Sequence, residues 1–120
     1  MSTALIGKWG EALASQYLQS KGYTILAVNF HSRFGEIDIV AKKRKILAFV
    51  EVKLRKNDRY GAACEFVTPS KQEKLRLTAQ AFLQENESLR LQPRFDVIEI
   101  YAPHGISEDH SLHHIENAFE

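Results

Sequence analysis

An α/β fold is what this sequence predicts, in the order helix, three strands, helix, strand, with a short strand closing the chain. Three observations predict it. Apolar residues recur at three- and four-residue spacing in two separate stretches, one near the start and one after Thr68. Between and after them lie runs rich in β-branched and aromatic residues, two of which alternate apolar and polar positions with period two. Gly22, His31 to Gly35, the Lys42 to Lys45 run and Pro103 with Gly105 punctuate these stretches. With 120 residues, 44% of them hydrophobic, the chain is sized for one domain, residues 1–120, around one core.

The first helix is read from Ser2 to Lys21, where Leu5, Trp9, Ala12, Leu13, Gln16 and Tyr17 form a stripe broken only by Gln16, and Gly22 supplies the stop. Tyr23 to Phe30 is β-rich and almost wholly apolar, the pattern of a strand covered on both faces. Glu36 to Ala41 and Ile46 to Leu54 are period-two runs on either side of a basic tetrad, which makes them an antiparallel hairpin. Asn57 to Thr68 reads as a loop. Thr68 or Ser70 caps the second helix, Ser70 with Glu73 as a possible capping box, and Leu75, Ala79, Phe82 and Leu83 form its buried stripe, ending near Asn86. Arg94 to Tyr101 is a further strand, and His114 to Phe119 a last one at a sheet edge.

No run approaches the roughly 18 apolar residues that a membrane-spanning helix needs, so no membrane association is expected and a cytoplasmic location is. The single cysteine, Cys64, excludes an internal disulfide, has no zinc-ligand spacing around it, and reads as a small buried hydrophobe. His104, His110, His113 and His114 fit no helical metal pair with a third ligand. The net charge of +1 hides an asymmetry: residues 40–80 hold 11 basic side chains against 4 acids, and the rest hold 5 against 11. A basic middle is what a phosphate backbone docks against, although a solvated lysine face has the same composition.

Chemistry concentrates in the hairpin. Strand alternation puts Glu51 and Lys53 on one face while Val50, Val52 and Leu54 point into the core. A two-residue turn at Arg44-Lys45 pairs Asp38 with Glu51 directly, and a four-residue loop over Lys42 to Lys45 leaves them diagonal neighbours. Two carboxylates this close raise one another's pKa unless a cation intervenes, and a hard divalent ion with oxygen ligands, Mg²⁺ or Mn²⁺, is the usual partner. The Val52 carbonyl lies between the charged side chains as a further oxygen ligand. Lys53 can then orient or help deprotonate a water, or neutralise charge on a phosphoryl oxygen, so the reaction expected is phosphodiester hydrolysis. The alternative is that these charges merely solvate a sheet face. Against it, the run from Leu47 to Leu54 is too apolar for a solvated edge strand, and charge at the end of a core strand is expensive without a purpose.

Gly35-Glu-Ile-Asp38 followed by Phe49-Val-Glu-Val-Lys53-Leu-Arg55 resembles the PD-(D/E)XK nuclease pattern. More narrowly, the chain resembles the YraN family of bacterial proteins, through Gly7-Lys-Trp-Gly-Glu11-Ala, Tyr17-Leu18, Gly22 to Leu26, Asn29, Tyr60-Gly61, Lys71-Gln72, Arg94 to Val97 and His114 to Phe119. One departure is His31, where family members usually carry an arginine.

The resemblance implies a restriction-endonuclease-like core, a mixed central sheet flanked by helices. It carries metal binding onto Asp38 and Glu51, the catalytic lysine onto Lys53 and an accessory acid onto Glu11. Glu11 lies off the apolar stripe among Gly7, Lys8, Ala14 and Ser15, where small neighbours would let its helix approach the site. Contacts to nucleic acid fall to Lys42, Lys43, Arg44 and Lys45, to Arg55 and Lys56 beyond the strand, and to Lys71, Gln72 and Lys74 at the second helix start. The expected function is a metal-dependent endonuclease acting on DNA, with branched or structured DNA as the candidate substrate. The alternatives are a non-catalytic nucleic-acid-binding module, and a subunit that depends on a second copy or another protein.

Overall fold

The structure, a computed structural model, describes residues 3–56 and 67–120. Helix α1 (Thr3–Ser20) leads into β1 (Thr24–Ser32), β2 (Gly35–Lys43) and β3 (Ile46–Arg55). Helix α2 (Pro69–Glu85) then crosses to β4 (Gln92–Tyr101), and β5 (Ser111–Phe119) turns back beside it. The strands lie side by side in chain order, with β3 and β4 parallel and the other neighbours antiparallel. A parallel pair needs a long crossover, which α2 supplies, and the result is the expected mixed sheet of a restriction-endonuclease-like core. Helix α1 covers one face through Ala14 and Leu18 over Ile39, Val50, Ile98 and Ile100. Helix α2 covers the other through Leu75, Ala79 and Phe82 over Val40, Leu47, Phe49 and Val97. Among the described residues, no helix is long and apolar enough to cross a membrane. The loop from Asn57, the burial of Cys64 and the Tyr60-Gly61 pair lie outside the described residues.

Two local expectations need correction. The stripe that α1 buries is Gly10, Ala14 and Leu18, flanked by Trp9, Leu13 and Tyr17, while Leu5 is 53% exposed and Ala12 and Gln16 face solvent. At Gly10 an added Cβ would lie 3.1 Å from the Leu54 side chain. A glycine does not register among apolar side chains, so apolar spacing alone finds Trp9, Leu13 and Tyr17 at the flank of the buried stripe and misses its centre. Strand β1 is only partly covered, with Ile25 packed on the α1 side and Ala27 and Phe30 on the α2 side. It is the edge of the sheet, and Leu26 and Val28 are 38% and 48% exposed.

Helix α2 is capped by Thr68, whose side chain accepts from the Lys71 N–H at 3.2 Å, with Pro69 in the first turn. Ser70 is therefore helical rather than the cap. A hydroxyl pair between Ser32 and Thr78, 2.9 Å apart, ties the end of β1 to the middle of this helix.

A buried polar network fixes the far strands. Asp96, 1% exposed, receives two bonds of 2.8 Å from Arg94, one of 2.8 Å from His114 and the Asn117 N–H at 3.0 Å. Burial works to raise the Asp96 carboxyl, but bonds from His114, Arg94 and Asn117 outweigh it and hold the pKa below the ordinary value. Arg94 also donates to the Tyr23 hydroxyl at 2.6 Å, which binds β4 and β5 to the start of β1.

Candidate active site

The hairpin turn is the two-residue one at Arg44-Lys45, with Arg44 at φ 55, and the β2–β3 ladder runs from Lys43↔Ile46 to Ile39↔Val50. Continued one step, this register would set Asp38 opposite Glu51, but the ladder stops before it. There, the Val52 N–H is taken by the Asp38 carboxylate at 2.8 Å. Side-chain alternation slips at the same point. Ile37 packs on the α2 side and Ile39 on the α1 side, although they are two residues apart. Asn29 lies opposite, between the Val28↔Ile39 and Phe30↔Ile37 pairs, and its φ of 54 is left-handed. The β2–β3 ladder thus ends at the Asn29 and Asp38 level, where the Asp38 side chain takes the place of a backbone pair and leaves a fork between the two strands.

The fork divides the expected residues between two sides. Asp38 lines a groove of about 240 Å³ beneath α1, together with Lys8, Glu11, Asn29, Glu36 and Val52. Oriented to satisfy its neighbours, the Asn29 amide nitrogen donates to Glu11 Oε2 and, at 2.7 Å, to Glu36 Oε1. Glu51 and Lys53 face the α2 side. The Glu51 carboxylate is 10% exposed, and its Oε1 lies 3.6 Å from Lys53 Nζ and 2.7 Å from Lys71 Nζ, which reaches it from the first turn of α2.

The electrostatics follow from burial of acids close to one another. Asp38 is pushed from 3.8 up to about 7, first by burial and next by the charge of Glu51. The Val52 N–H opposes this, and Glu11 and Glu36 add smaller contributions in the same direction as Glu51. Lys53 is lowered by burial and by its contact with Lys71, against the pull of Glu51. For Lys71, burial works downward, but bonding to Glu51 and then to Lys53 outweighs it and raises the ammonium.

Among the described residues, no three His, Cys, Asp or Glu side chains converge as a metal cage. Mg²⁺ commonly takes only one or two carboxylates, completing its shell with waters and substrate phosphates. Asp38, Glu51 and the carbonyl of Val52 fit that donor set, and the repulsion that raises Asp38 is what such a cation relieves.

The expected phosphate contacts separate. Lys71 is in the site, whereas Gln72 donates to the Val67 carbonyl at 2.9 Å and accepts from Arg76 at 3.2 Å. Lys74 and Lys56 are exposed. Arg55 is 10% exposed and pairs with Glu99 at 3.0 Å across the parallel strands. Lys42 to Lys45 occupy the other end of the hairpin, roughly 13–20 Å along the strands from Glu51 at ~3.3 Å per residue. Lys43 there lies over the Tyr23 ring, 5.3 Å from its centroid. A concavity of about 490 Å³ between Ile46, Arg94, Asn117 and Phe119 is also at that end, and neither Asp38 nor Glu51 lines it. Sequence reasoning missed Gly10 and the bridging role of Asn29, for which an asparagine in a β-rich run was the available signal.

A five-stranded mixed sheet forked at an Asp and followed by Glu-x-Lys defines an α/β protein with a restriction-endonuclease-like core. Residues 10–100 match the family model described as "Uncharacterised protein family UPF0102", and the chain belongs to that family, the YraN family that the sequence resembles. It is 44% identical over 114 residues to a UPF0102 protein of Syntrophomonas wolfei, covering 95% of this chain and 96% of that one. A UPF0102 protein of Alkaliphilus metalliredigens is 40% identical over 114 residues, with 95% and 96% covered. One from Acinetobacter baumannii is 44% identical over 124 residues, with 95% and 93% covered.

Proposed function

We propose that this chain is a metal-dependent endonuclease of the PD-(D/E)XK superfamily that hydrolyses phosphodiester bonds in DNA. The observation that carries the proposal is the fork, where two acids are held near enough for Glu51 to help push Asp38 up to about 7, with Lys53 3.6 Å from Glu51. A fold has little reason to keep such repulsion for stability alone.

In this reading, Asp38, Glu51 and the Val52 carbonyl hold Mg²⁺ or Mn²⁺, and Glu11 extends the acidic shell from α1. When bound, the ion polarises the phosphate and acidifies a water. Lys53, with its lowered pKa, would orient an attacking water or take up its proton, and in its charged form would neutralise a phosphoryl oxygen. Val52 fixes the Asp38 carboxylate through its N–H, so the acid is aimed before substrate arrives. DNA as substrate implies work in the cytoplasm, and branched or structured DNA suits a groove open to solvent.

One observation favours the second reading, a partner-dependent or non-catalytic binding module: Lys71 already neutralises Glu51 at 2.7 Å. A second copy or another protein would then supply what completes the site. Cleavage of linear, single-stranded, flapped and four-way-junction DNA with Mg²⁺ or Mn²⁺ decides between them, with Lys53→Ala as control. Cleavage abolished in Lys53→Ala supports the enzyme, whereas DNA bound and never cut supports the module.

A further inference from the structure

Lys71 stands where its own helix disfavours it. It is the third residue after the Thr68 cap of α2, at the positive end of the helix dipole, with no acid in that first turn to offset it. Its ammonium is instead held 2.7 Å from Glu51 Oε1, closer than the 3.6 Å of Lys53 to the same oxygen. The two partners differ in freedom. Glu51 is 10% exposed on a core strand, while Lys71 is 39% exposed at the end of a four-carbon stem beside open solvent. When a second cation needs that oxygen, Lys71 is the group that can leave.

We infer that Lys71 is a displaceable counter-cation of Glu51, which competes with the divalent ion for this carboxylate and passes to a substrate phosphate once displaced. The inference rests on the metal-dependent reading of the site and adds a regulation to it. The protein alone takes its metal weakly, and nucleic acid, by drawing Lys71 onto phosphate, tightens it. Coupling of this kind is reciprocal, so the metal equally tightens the hold on nucleic acid. Lys71 acts here as a positioning residue through Glu51.

The test is Mn²⁺ binding by calorimetry, without nucleic acid, to the full chain and to Lys71→Met, Lys71→Arg and Glu51→Gln. Lys71→Met is expected to bind Mn²⁺ about five- to tenfold tighter, the scale of releasing a part-buried ion pair, and Lys71→Arg to stay near the parent. The sign is diagnostic, because simple damage to the site weakens binding. Metal-free Lys71→Met should also melt lower than the parent, with the gap closing as Mn²⁺ is added. In a Lys53→Ala background, a DNA duplex should tighten Mn²⁺ binding less when Lys71→Met is also present. If Lys71→Met folds poorly, Lys71→Gln serves the same purpose. Unchanged or weaker Mn²⁺ binding in Lys71→Met and Lys71→Gln, with binding abolished in Glu51→Gln, overturns this inference and leaves the nuclease reading standing. Mn²⁺ binding that is absent, or indifferent to Glu51→Gln, overturns the metal-dependent reading and this inference with it.

Discussion

Replacing Asp38 by asparagine should stabilise the metal-free protein, and the gain should grow with pH. The Asp38 carboxyl is raised from 3.8 to about 7, first by burial and then by Glu51. Between these two pH values the folded protein keeps a proton that the unfolded chain has released. The stabilisation from that proton is therefore complete below 3.8 and is lost as pH rises through about 7. At 1.36 kcal/mol per pKa unit, the ionised carboxylate costs at most ~4 kcal/mol above pH 8, and ~1.7 kcal/mol of that is already present at pH 5. Asparagine carries no such proton, and its side-chain oxygen can still accept the Val52 N–H. The advantage of Asp38→Asn should thus be larger at pH 8 than at pH 5 by up to ~2.6 kcal/mol, a difference in melting temperature of up to about 10 °C for a domain of this size.

The assay is urea denaturation of both proteins in EDTA across pH 5 to 8, read by far-UV circular dichroism. Mn²⁺ at ~100-fold its Kd should close most of that gap at pH 8, since it adds about 2.7 kcal/mol to the protein that binds it and nothing to the variant that does not. An Asp38→Asn protein less stable than the parent at pH 8, or an advantage that does not change with pH, would refute the account of the fork as a site of stored repulsion.

Gly10→Leu should lower stability by about 1–3 kcal/mol in a denaturant titration, because even a Cβ at Gly10 meets the Leu54 side chain at 3.1 Å. The same variant should weaken Mn²⁺ binding, as Glu11 moves away with the helix. Asp96→Ala should lower stability by about 3–5 kcal/mol, since it leaves Arg94 and His114 without the carboxylate they share. Exchanging Lys42, Arg44 and Lys45 for glutamate should weaken DNA binding and flatten its salt dependence, by a slope of about 0.9 for each phosphate no longer neutralised. An unchanged slope in a filter-binding titration would make the hairpin tip a solvated face only.

Local signals carried much of the architecture. Period-two runs and the basic tetrad between them located the hairpin, and the odd-sum register of a turn at Arg44-Lys45 is the one observed. Glu51 and Lys53 share a face because alternation along β3 is unbroken. What was illegible depends on neighbours distant in sequence. The apolar content of β1 could not say that the strand lies at an edge. Nor could residue type tell Lys71 from Gln72 or Lys74, because which of three adjacent polar residues meets Glu51 is set by the rotation of α2, which the Thr68 cap begins. The bonds joining Asp96 to His114 and Arg94 to Tyr23 exist only once β4, β5 and the start of β1 are assembled.

The slip at Asp38 is the instructive failure, because strict alternation is the premise that places Asp38 and Glu51 together. Alternation holds only while the backbone ladder holds, and here the ladder gives way to a side chain: the Val52 N–H goes to the Asp38 carboxylate. The acid therefore ends the pairing of β2 with β3 as well as lining the groove, and one bond performs both tasks. This makes alanine the wrong probe of its chemistry. Asp38→Ala removes a charge and also deprives a part-buried N–H of its acceptor, a loss of about 1–3 kcal/mol in the opposite direction to the relieved repulsion. Only a replacement that keeps the acceptor and discards the charge separates the strand fork from the candidate metal site built on it.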